Sequence, residues 1–362
     1  MNWFSLWRKL IIFIFFSAIA ACIFYAPRFF DYFKTQKAIN VLTFVEMISP
    51  QTAKKFTEQT GIKVNMNYFE SNDELLVKLK INKGRGYDLI LVTDFIVDLL
   101  IQNDLLGSID VNKISNFKNL DKYFLNRYFD KNNKYSIPYI WTVFGLAYNK
   151  KFFGEKLDPS LGEIFENLDK RDYKISMINN VREAVDFARI YLFGKSINLS
   201  NEQLEEIRNL LVKQKRIVEC YTSEKQDYLL YAEVVPLAVC ESSFIRRMHI
   251  VDETAHKEFG FVIPKEGSII SIENLAILKS SNKKDLTYKF LDFLLSAEDS
   301  AFNCNLYGIN PINKLSYQFL DQEIVNDKNY FPHKEMIEKM DILHNDISLD
   351  KLDDIWLSVK TA

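Results

Sequence analysis

The sequence predicts an α/β fold of two lobes joined by two extended crossings. From residue 38 onward, short apolar strands alternate with amphipathic helices, the pattern of mixed, mostly parallel sheets with right-handed crossovers. Two long extended apolar stretches, residues 135–150 and 259–278, interrupt that alternation. A chain of 362 residues is also long enough for two cores. A chain that crosses twice between two lobes places a ligand cleft between them.

Composition narrows the function classes. The formal net charge is −2, and acidic and basic residues are interspersed along the chain. This distribution lacks the basic footprint that nucleic-acid binding requires, so no nucleic-acid partner is expected. Hydrophobic residues make up 48% and charged residues 26%, which is typical of a globular protein.

The N-terminus carries the features of an export signal. Arg8 and Lys9 precede an apolar run, and small residues lead to Cys22 in the motif Ile-Ala-Ala-Cys. This motif resembles the bacterial lipobox, which predicts a signal peptide over residues 1–22, a lipidated Cys22 and a linker over 23–37. The alternative is an uncleaved anchor, because the apolar run 10–26 reaches the lower limit of about 17 residues for a spanning helix. Both interpretations place the chain from about residue 38 outside the cytoplasmic membrane, as a membrane-tethered periplasmic protein.

The first lobe is predicted from caps and apolar runs. Ser49 followed by Pro50 indicates a helix start, and Gly61 indicates its end. Ser71 or Asn72 is expected to cap the next helix. The predicted strands cover residues 39–44, 62–69 and 87–92, and the predicted helices cover 51–60, 71–84 and 94–106.

The first crossing and the second lobe follow. Pro138 lies inside the stretch 135–150 and argues against a central strand there. Pro264 and Gly267 separate two strands in the second crossing, and residues 283–306 are expected to form one helical segment. The second lobe is assigned strands at 174–179, 217–222 and 234–239 and helices at 181–194 and 201–215. We expect lobe one to hold residues 38–142 and 272–318, and lobe two 143–271 and 319–362.

Several segments resemble one family of binding proteins. They are FTEQTGIKV, YFESNDELLVKLK, GYDLILVTDFIVDLL, NNVREA, FVIPKEGSIISIENLAI, LDFLLSAEDSA and the IPYIW that ends a longer match. In this order and spacing the chain is similar to the extracytoplasmic solute-binding proteins of ABC transporters, and among them to the spermidine/putrescine-binding proteins. The resemblance implies a two-lobed periplasmic-binding-protein fold that closes on a polyamine and delivers it to a membrane permease, without a cofactor.

The resemblance also implies site residues in lobe one. Polyamine ammonium groups need carboxylates, and their methylenes need apolar or aromatic walls. Glu46 matches a ligand carboxylate after the first strand, although an acid near a helix N-terminus is favoured by the dipole anyway. Phe44 replaces a tryptophan. After the third strand, Thr93 replaces a serine and Phe95 a tyrosine that line the pocket.

In lobe two, the resemblance assigns further positions. Asn180 replaces an aspartate, whereas Glu183 is retained. Cys240 replaces a tryptophan, with Glu241 beside it where an asparagine is usual, and Glu273 replaces an aspartate that pairs with a terminal amine. Most of the family's aromatic box is therefore lost, and Ser271, Ile309 and His344 also depart from the pattern. Phe44, Phe95 or Trp141 are the candidate replacements.

Two alternatives remain open. The loss of aromatic residues favours a surface lipoprotein that keeps the fold but binds another solute or a macromolecule.

The three remaining cysteines, Cys220, Cys240 and Cys304, are either buried apolar residues, or two of them form one disulfide. An enzyme is not expected, because the four histidines lack metal-ligand spacing and no nucleophile elbow occurs. No metal site is predicted.

Overall fold

The computed structural model describes residues 7, 12–17, 19, 21–25, 37–195, 198–252, 254–332, 334–344 and 346–362. Most of the predicted signal peptide and linker lies outside the described residues, although Cys22 is described and exposed. In the described part of the chain, no helix has both the length and the apolar character that crossing a membrane requires.

The fold is mixed α/β, as predicted, but the pairings are not mostly parallel, because among the strands that the structure describes five pairs are parallel and five are antiparallel. The strands are β1 (Ala38–Thr43), β2 (Lys63–Tyr68), β3 (Leu89–Thr93), β4 (Ser136–Asn149), β5 (Ile175–Met177), β6 (Val218–Tyr221), β7 (Leu237–Glu241), β8 (Phe259–Val262), β9 (Ile269–Ile277), β10 (Asn310–Pro311) and β11 (Asp341–Ile342). Their hydrogen-bonded order is β2-β1-β3-β9-β4-β7-β5-β6, with β8 and β10 also paired to β4 and β11 to β9.

Helices fill most of the connections. They are α1 (Pro50–Thr60), α2 (Asn72–Asn82), α3 (Asp94–Gln102), α4 (Lys150–Phe153), α5 (Gly162–Phe165), α6 (Val181–Phe193), α7 (Asn201–Gln214), α8 (Gln226–Tyr231), α9 (Ser242–Val251), α10 (Ala255–Glu258), α11 (Lys284–Leu294), α12 (Ala297–Tyr307), α13 (Gln322–Asn326), α14 (Lys334–Ile337) and α15 (Leu349–Thr361). Short 3₁₀ helices cover Val111–Lys113, Phe117–Asn119, Lys122–Phe124, Lys131–Asn133, Leu168–Lys170, Lys215–Ile217 and Lys314–Phe319.

The predicted caps explain where the first helices begin and end. The Ser49 side chain accepts a hydrogen bond from Gln51 N, Pro50 opens α1, and Gly61 ends it with φ 69° in the left-handed region. Ser71, one of the two predicted candidates, caps α2 by accepting from Glu74 N. These local signals placed both helices correctly because the capping hydrogen bonds involve only neighbouring residues.

The prediction that Pro138 excludes a central strand is wrong. β4 contains Pro138 and lies between β9 and β7 in the strand order. The register to β9 shifts between Pro138 and Ile140, which lets the ladder continue around the residue that has no N–H to donate. Residues 136–143 of β4 pair with β9, whereas Phe144–Asn149 pair with β7 and β8. The strands therefore form one continuous path through β4 rather than two separate sheets.

The C-terminal third also differs in detail. The single helical segment predicted over 283–306 is two helices, because Ser296 leaves the helical conformation and caps α12 by accepting from Asp299 N. α11 packs on β1 and β9, and the final helix α15 packs on α6 and α7. α3 packs on β9 and α9 on β4, and the two helices begin directly after β3 and β7, the strands that flank β9 and β4 in the strand order.

Candidate functional site

Two carboxylates meet where β3 ends beside β9. Thr93 is the register partner of Glu273 in this antiparallel pair, and α3 begins at the next residue, Asp94. Asp94 is fully buried and Glu273 is 6% exposed. The carboxyl end of β3, which runs parallel to β1, thus places an acid in the position where α/β sheets bind ligands.

Both acids keep an oxygen without a partner. Asp94 Oδ1 accepts from Phe95 N at 2.7 Å, and Glu273 Oε1 accepts from Ser271 Oγ at 3.3 Å. Among the described residues, Asp94 Oδ2 and Glu273 Oε2 have no hydrogen-bond partner although both atoms are buried. Such buried acceptors cost free energy unless a bound donor satisfies them.

Two further carboxylates, Glu241 and Glu183, lie in the half of the fold that contains β7, β5 and β6. Glu241 ends β7 opposite Phe144 of β4, and it accepts from Thr142 Oγ1 at 2.9 Å and from Ser243 Oγ at 3.3 Å. Glu183 lies in the first turn of α6.

Asn180 positions Glu183. Its side-chain oxygen caps α6 by accepting from the backbone N–H groups of Arg182 and Glu183. Its Nδ2 donates to Glu183 Oε1 at 3.0 Å. Asn180 therefore orients this carboxylate without contributing a charge of its own.

The four carboxylates are coupled electrostatically. Burial raises the pKa of Glu183 well above its usual value, and repulsion from Glu241, Asp94 and Glu273 adds to it. Burial and the charges of Glu241 and Asp94 raise the pKa of Glu273 in the same way. Burial also raises the pKa of Glu241, and it raises that of Asp94 to about 8. Such a cluster favours a bound cation, which relieves both the burial and the repulsion.

Glu46 is paired with a residue outside this cluster. It has a positive φ of 63°, and its Oε2 accepts from Arg247 Nη1 of α9 at 2.6 Å. The predicted ligand carboxylate after β1 therefore already has a cationic partner within the chain.

The side chains at the predicted aromatic and thiol positions pack against other residues of the chain. The Phe44 ring lies on Phe69 with a centroid distance of 4.1 Å, and Phe95 lies under the guanidinium of Arg182 at 5.6 Å. Trp141 is buried against Phe124, and Cys240 is buried within β7.

The structure also shows the surroundings of His344 and Ile309, two further positions at which the chain departs from the family pattern. His344 stacks on Tyr128 with a centroid distance of 4.3 Å, and its positive charge lowers the pKa of Asp94 against the larger effect of burial. Ile309 is buried.

The cysteines Cys220, Cys240 and Cys304 are free thiols, so none of them forms a disulfide. In the part of the chain that the structure describes, no group of three or more His, Cys, Asp or Glu side chains is arranged to hold a metal ion.

Sequence reasoning missed Asp94 and Arg247. Asp94 directly follows an apolar strand, as Glu46 nearly does, so the criterion of an acid at a strand end could have found it. Its first-turn position in a helix gives an acid an ordinary explanation, and only the structure shows that it is buried. Arg247 carries no comparable signal, because its partner Glu46 lies 201 residues away.

Solved structures share this fold. A spermidine/putrescine ABC transporter substrate-binding protein from Streptococcus pneumoniae matches with a TM-score of 0.78 at 24% identity, over 90% of this chain and 98% of that one. A lipoprotein of Treponema pallidum matches with a TM-score of 0.78 at 21% identity, over 90% of this chain and 100% of that one. The fold is that of the two-lobed periplasmic binding proteins, which confirms the predicted class.

Sequence comparisons add the family. The model for bacterial extracellular solute-binding proteins matches residues 51–332. The spermidine/putrescine-binding periplasmic protein of Escherichia coli is 31% identical over 298 residues, 81% of this chain and 82% of that protein. A putrescine/cadaverine-binding protein of Pseudomonas aeruginosa is 26% identical over 323 residues, 87% of this chain and 91% of that protein. The chain therefore belongs to the bacterial extracellular solute-binding proteins, a class of binding proteins rather than enzymes.

Proposed function

We propose that this protein is the extracytoplasmic binding component of an ABC transporter, which captures a polyamine and delivers it to a membrane permease. The observation that carries the proposal is the cluster of Asp94, Glu183, Glu241 and Glu273. No lysine or arginine among the described residues forms an ion pair within 4 Å with any of the four. A di- or tri-cation with ammonium groups supplies the donors and charge that the cluster lacks.

The names of the relatives support the same ligand class. The Escherichia coli relative is a spermidine/putrescine-binding protein, and the Pseudomonas aeruginosa relative is a putrescine/cadaverine-binding protein. Putrescine and spermidine are accordingly the polyamines to test first.

Capture proceeds by closure of two lobes in this proposal. Lobe one consists of residues 38–142 and 272–318, and lobe two of 143–271 and 319–362. The change of partners along β4, from β9 to β7 and β8, supports one hinge there and the other in the β8–β9 segment. Asp94 and Glu273 then belong to lobe one, and Glu183 and Glu241 to lobe two. A cation bound by both pairs draws the lobes together.

The protein is held at the outer face of the cytoplasmic membrane by its N-terminus in this proposal. The motif that ends at Cys22 supports a lipid anchor, with an uncleaved apolar segment as the alternative. The tether keeps the binding protein close to its permease, which raises the effective concentration of each for the other.

The proposal is tested by calorimetric titration of the purified full chain with putrescine and with spermidine. We expect wild-type protein to bind at least one of them, and Glu273→Gln and Asp94→Asn each to weaken binding at least about tenfold, because each removes a buried charge-assisted contact. Glu205→Gln on α7, an exposed acid outside the cluster, is the matched control and should bind as wild type does. Failure of wild-type protein to bind either polyamine would contradict the proposal.

One observation favours a second candidate. The candidate replacements for the lost aromatic box are packed against Phe69, Arg182 and Phe124, which leaves a long polyamine chain without aromatic walls from these rings. A surface lipoprotein that binds another solute or a macromolecular partner is consistent with this. Binding of arginine or another compact cation, without binding of either polyamine, would support it.

A further inference from the structure

Arg247 lies at the edge of the acid cluster and holds Glu46. Its Nη1 donates to Glu46 Oε2 at 2.6 Å, and its guanidinium carbon lies 4.6 Å from the centre of the Phe244 ring. The Arg247 side chain is 23% exposed and that of Glu46 is 48% exposed. The Arg247 guanidinium thus donates a charge-assisted hydrogen bond and also lies against an aromatic face.

The same guanidinium also acts on Glu241, one of the four acids of the cluster. It belongs to α9, whose first turn follows Glu241, and its charge lowers the pKa of Glu241 against the larger raising effect of burial. Arg247 therefore holds the partly exposed carboxylate of Glu46 and also acts electrostatically on Glu241, a half-buried member of the cluster. A ligand that used both Glu46 and the buried acids would have to displace it.

The contacts of Arg247 are those that an ammonium end of a polyamine requires: a carboxylate oxygen and an aromatic face. We propose that Arg247 is a specificity-determining residue that substitutes for one ammonium end and restricts the site to a short diamine held by Asp94, Glu183, Glu241 and Glu273. A triamine, which is longer and carries a third charge, needs the Glu46 carboxylate as well and has to compete with Arg247 for it. This inference rests on the proposed polyamine function and goes beyond it by naming the length of the ligand.

A purely structural role for the pair makes a different prediction. Glu46 follows β1, and Arg247 lies on α9 after β7, so the ion pair also joins distant parts of the chain. If the pair served only to hold these parts together, removing it would change the affinities for short and long polyamines in parallel. If Arg247 selects polyamines by their length, its removal changes the ratio of the two affinities.

The experiment is calorimetric titration of the full chain with putrescine and spermidine for wild type, Arg247→Met, Arg247→Gln, Arg247→Lys and the double variant Arg247→Met with Glu46→Gln. Met keeps an apolar stem over Phe244, Gln serves if Met impairs folding, and Lys keeps the charge. Arg208→Met is the matched control, because Arg208 forms a similarly exposed pair with Glu205 at 3.1 Å on α7.

We expect wild-type protein to bind putrescine about tenfold more tightly than spermidine. Arg247→Met or Arg247→Gln should raise spermidine affinity about tenfold and change putrescine affinity by less than about threefold. The double variant should lose the gain, because the freed Glu46 carboxylate is gone. Arg247→Lys and Arg208→Met should keep the wild-type preference.

The inference would be overturned if Arg247→Met and Arg247→Gln kept the wild-type ratio of putrescine to spermidine affinity, or if both affinities fell in parallel. Either result would leave the proposed polyamine function standing, because wild-type protein would still bind. A gain of spermidine affinity that survives in the double variant would overturn it too, since Glu46 would not be the carboxylate that was released. Absence of binding of both polyamines to wild-type protein would overturn the inference together with the proposed function.

Discussion

Thr93 and Glu273 face each other as register partners in the antiparallel pair of β3 and β9. Because α3 starts directly after Thr93, this pairing sets the carboxylates of Asp94 and Glu273 at the same edge of the sheet. Each keeps one buried oxygen without a hydrogen-bond partner among the described residues. The folded protein therefore tolerates a destabilising arrangement here, which is typical of binding sites.

Asp94→Asn should stabilise the ligand-free protein at high pH. Burial raises the folded-state pKa of Asp94 to about 8 from an ordinary value of 3.8. Between these values the unfolded chain has lost the proton and the folded chain keeps it, so stability falls as pH rises through this window. We expect the variant to be more stable by about 1–3 kcal/mol at pH 8, with the difference vanishing near pH 4.

Urea unfolding of both proteins across this pH range, without added cation, measures the difference. Asn keeps a side-chain oxygen that can accept from Phe95 N, so this hydrogen bond in the first turn of α3 is preserved. Glu205→Gln serves as the control and should show no such pH-dependent gain. A variant that is less stable than wild type at pH 8 would show that Asp94 is ionised and satisfied in the folded protein.

Cation binding should weaken as pH falls. Burial raises the pKa of Glu183, Glu241 and Glu273, so protons compete with a bound cation for these carboxylates. We expect polyamine affinity to drop between pH 8 and pH 5.5, and binding near neutral pH to release protons. Titration calorimetry in two buffers of different ionisation enthalpy measures that release. Affinity that is independent of pH, with no proton release, would contradict the prediction.

Arg189→Met should strongly destabilise the fold. Arg189 is 2% exposed and pairs with Asp186 Oδ1 at 2.7 Å and Asp341 Oδ2 at 2.8 Å, joining α6 to β11. Removing the cation leaves two poorly solvated carboxylates, which costs about 3–5 kcal/mol in other buried pairs. Urea unfolding at pH 7 measures the loss, and the exposed Arg208→Met provides the comparison. A loss below about 1 kcal/mol would mean that water replaces the guanidinium.

Cys22→Ala should abolish lipid modification. If the motif ending at Cys22 is a lipobox, cells fed an alkyne-tagged fatty acid will label wild-type protein and will not label the variant. Cys220→Ala, which removes a thiol of the folded domain, should be labelled as wild type is. An unlabelled wild-type protein that remains in the membrane fraction would support the uncleaved anchor instead.

The local elements were predictable because their signals are local. Ser49, Pro50 and Gly61 bound α1 through hydrogen bonds and backbone angles within a few residues. Pro138 led to a wrong prediction for β4, because a local rule about a missing N–H takes no account of a register shift against β9. The break at Ser296 was missed for a related reason: helical apolar spacing continues on both sides of it.

The sequence by itself determined the family, the α/β class and most of the acids of the candidate site. Glu183, Glu241 and Glu273 follow from motif positions, and their proximity is consistent with strand order. Only the tertiary structure decided which acids lack a partner: it buries Asp94 beside Glu273 and pairs Glu46 with Arg247 from a helix 201 residues away. Burial and ion pairing depend on what the folded chain brings into contact, and a charge whose partner lies far along the chain carries no sign of that partner in its neighbours.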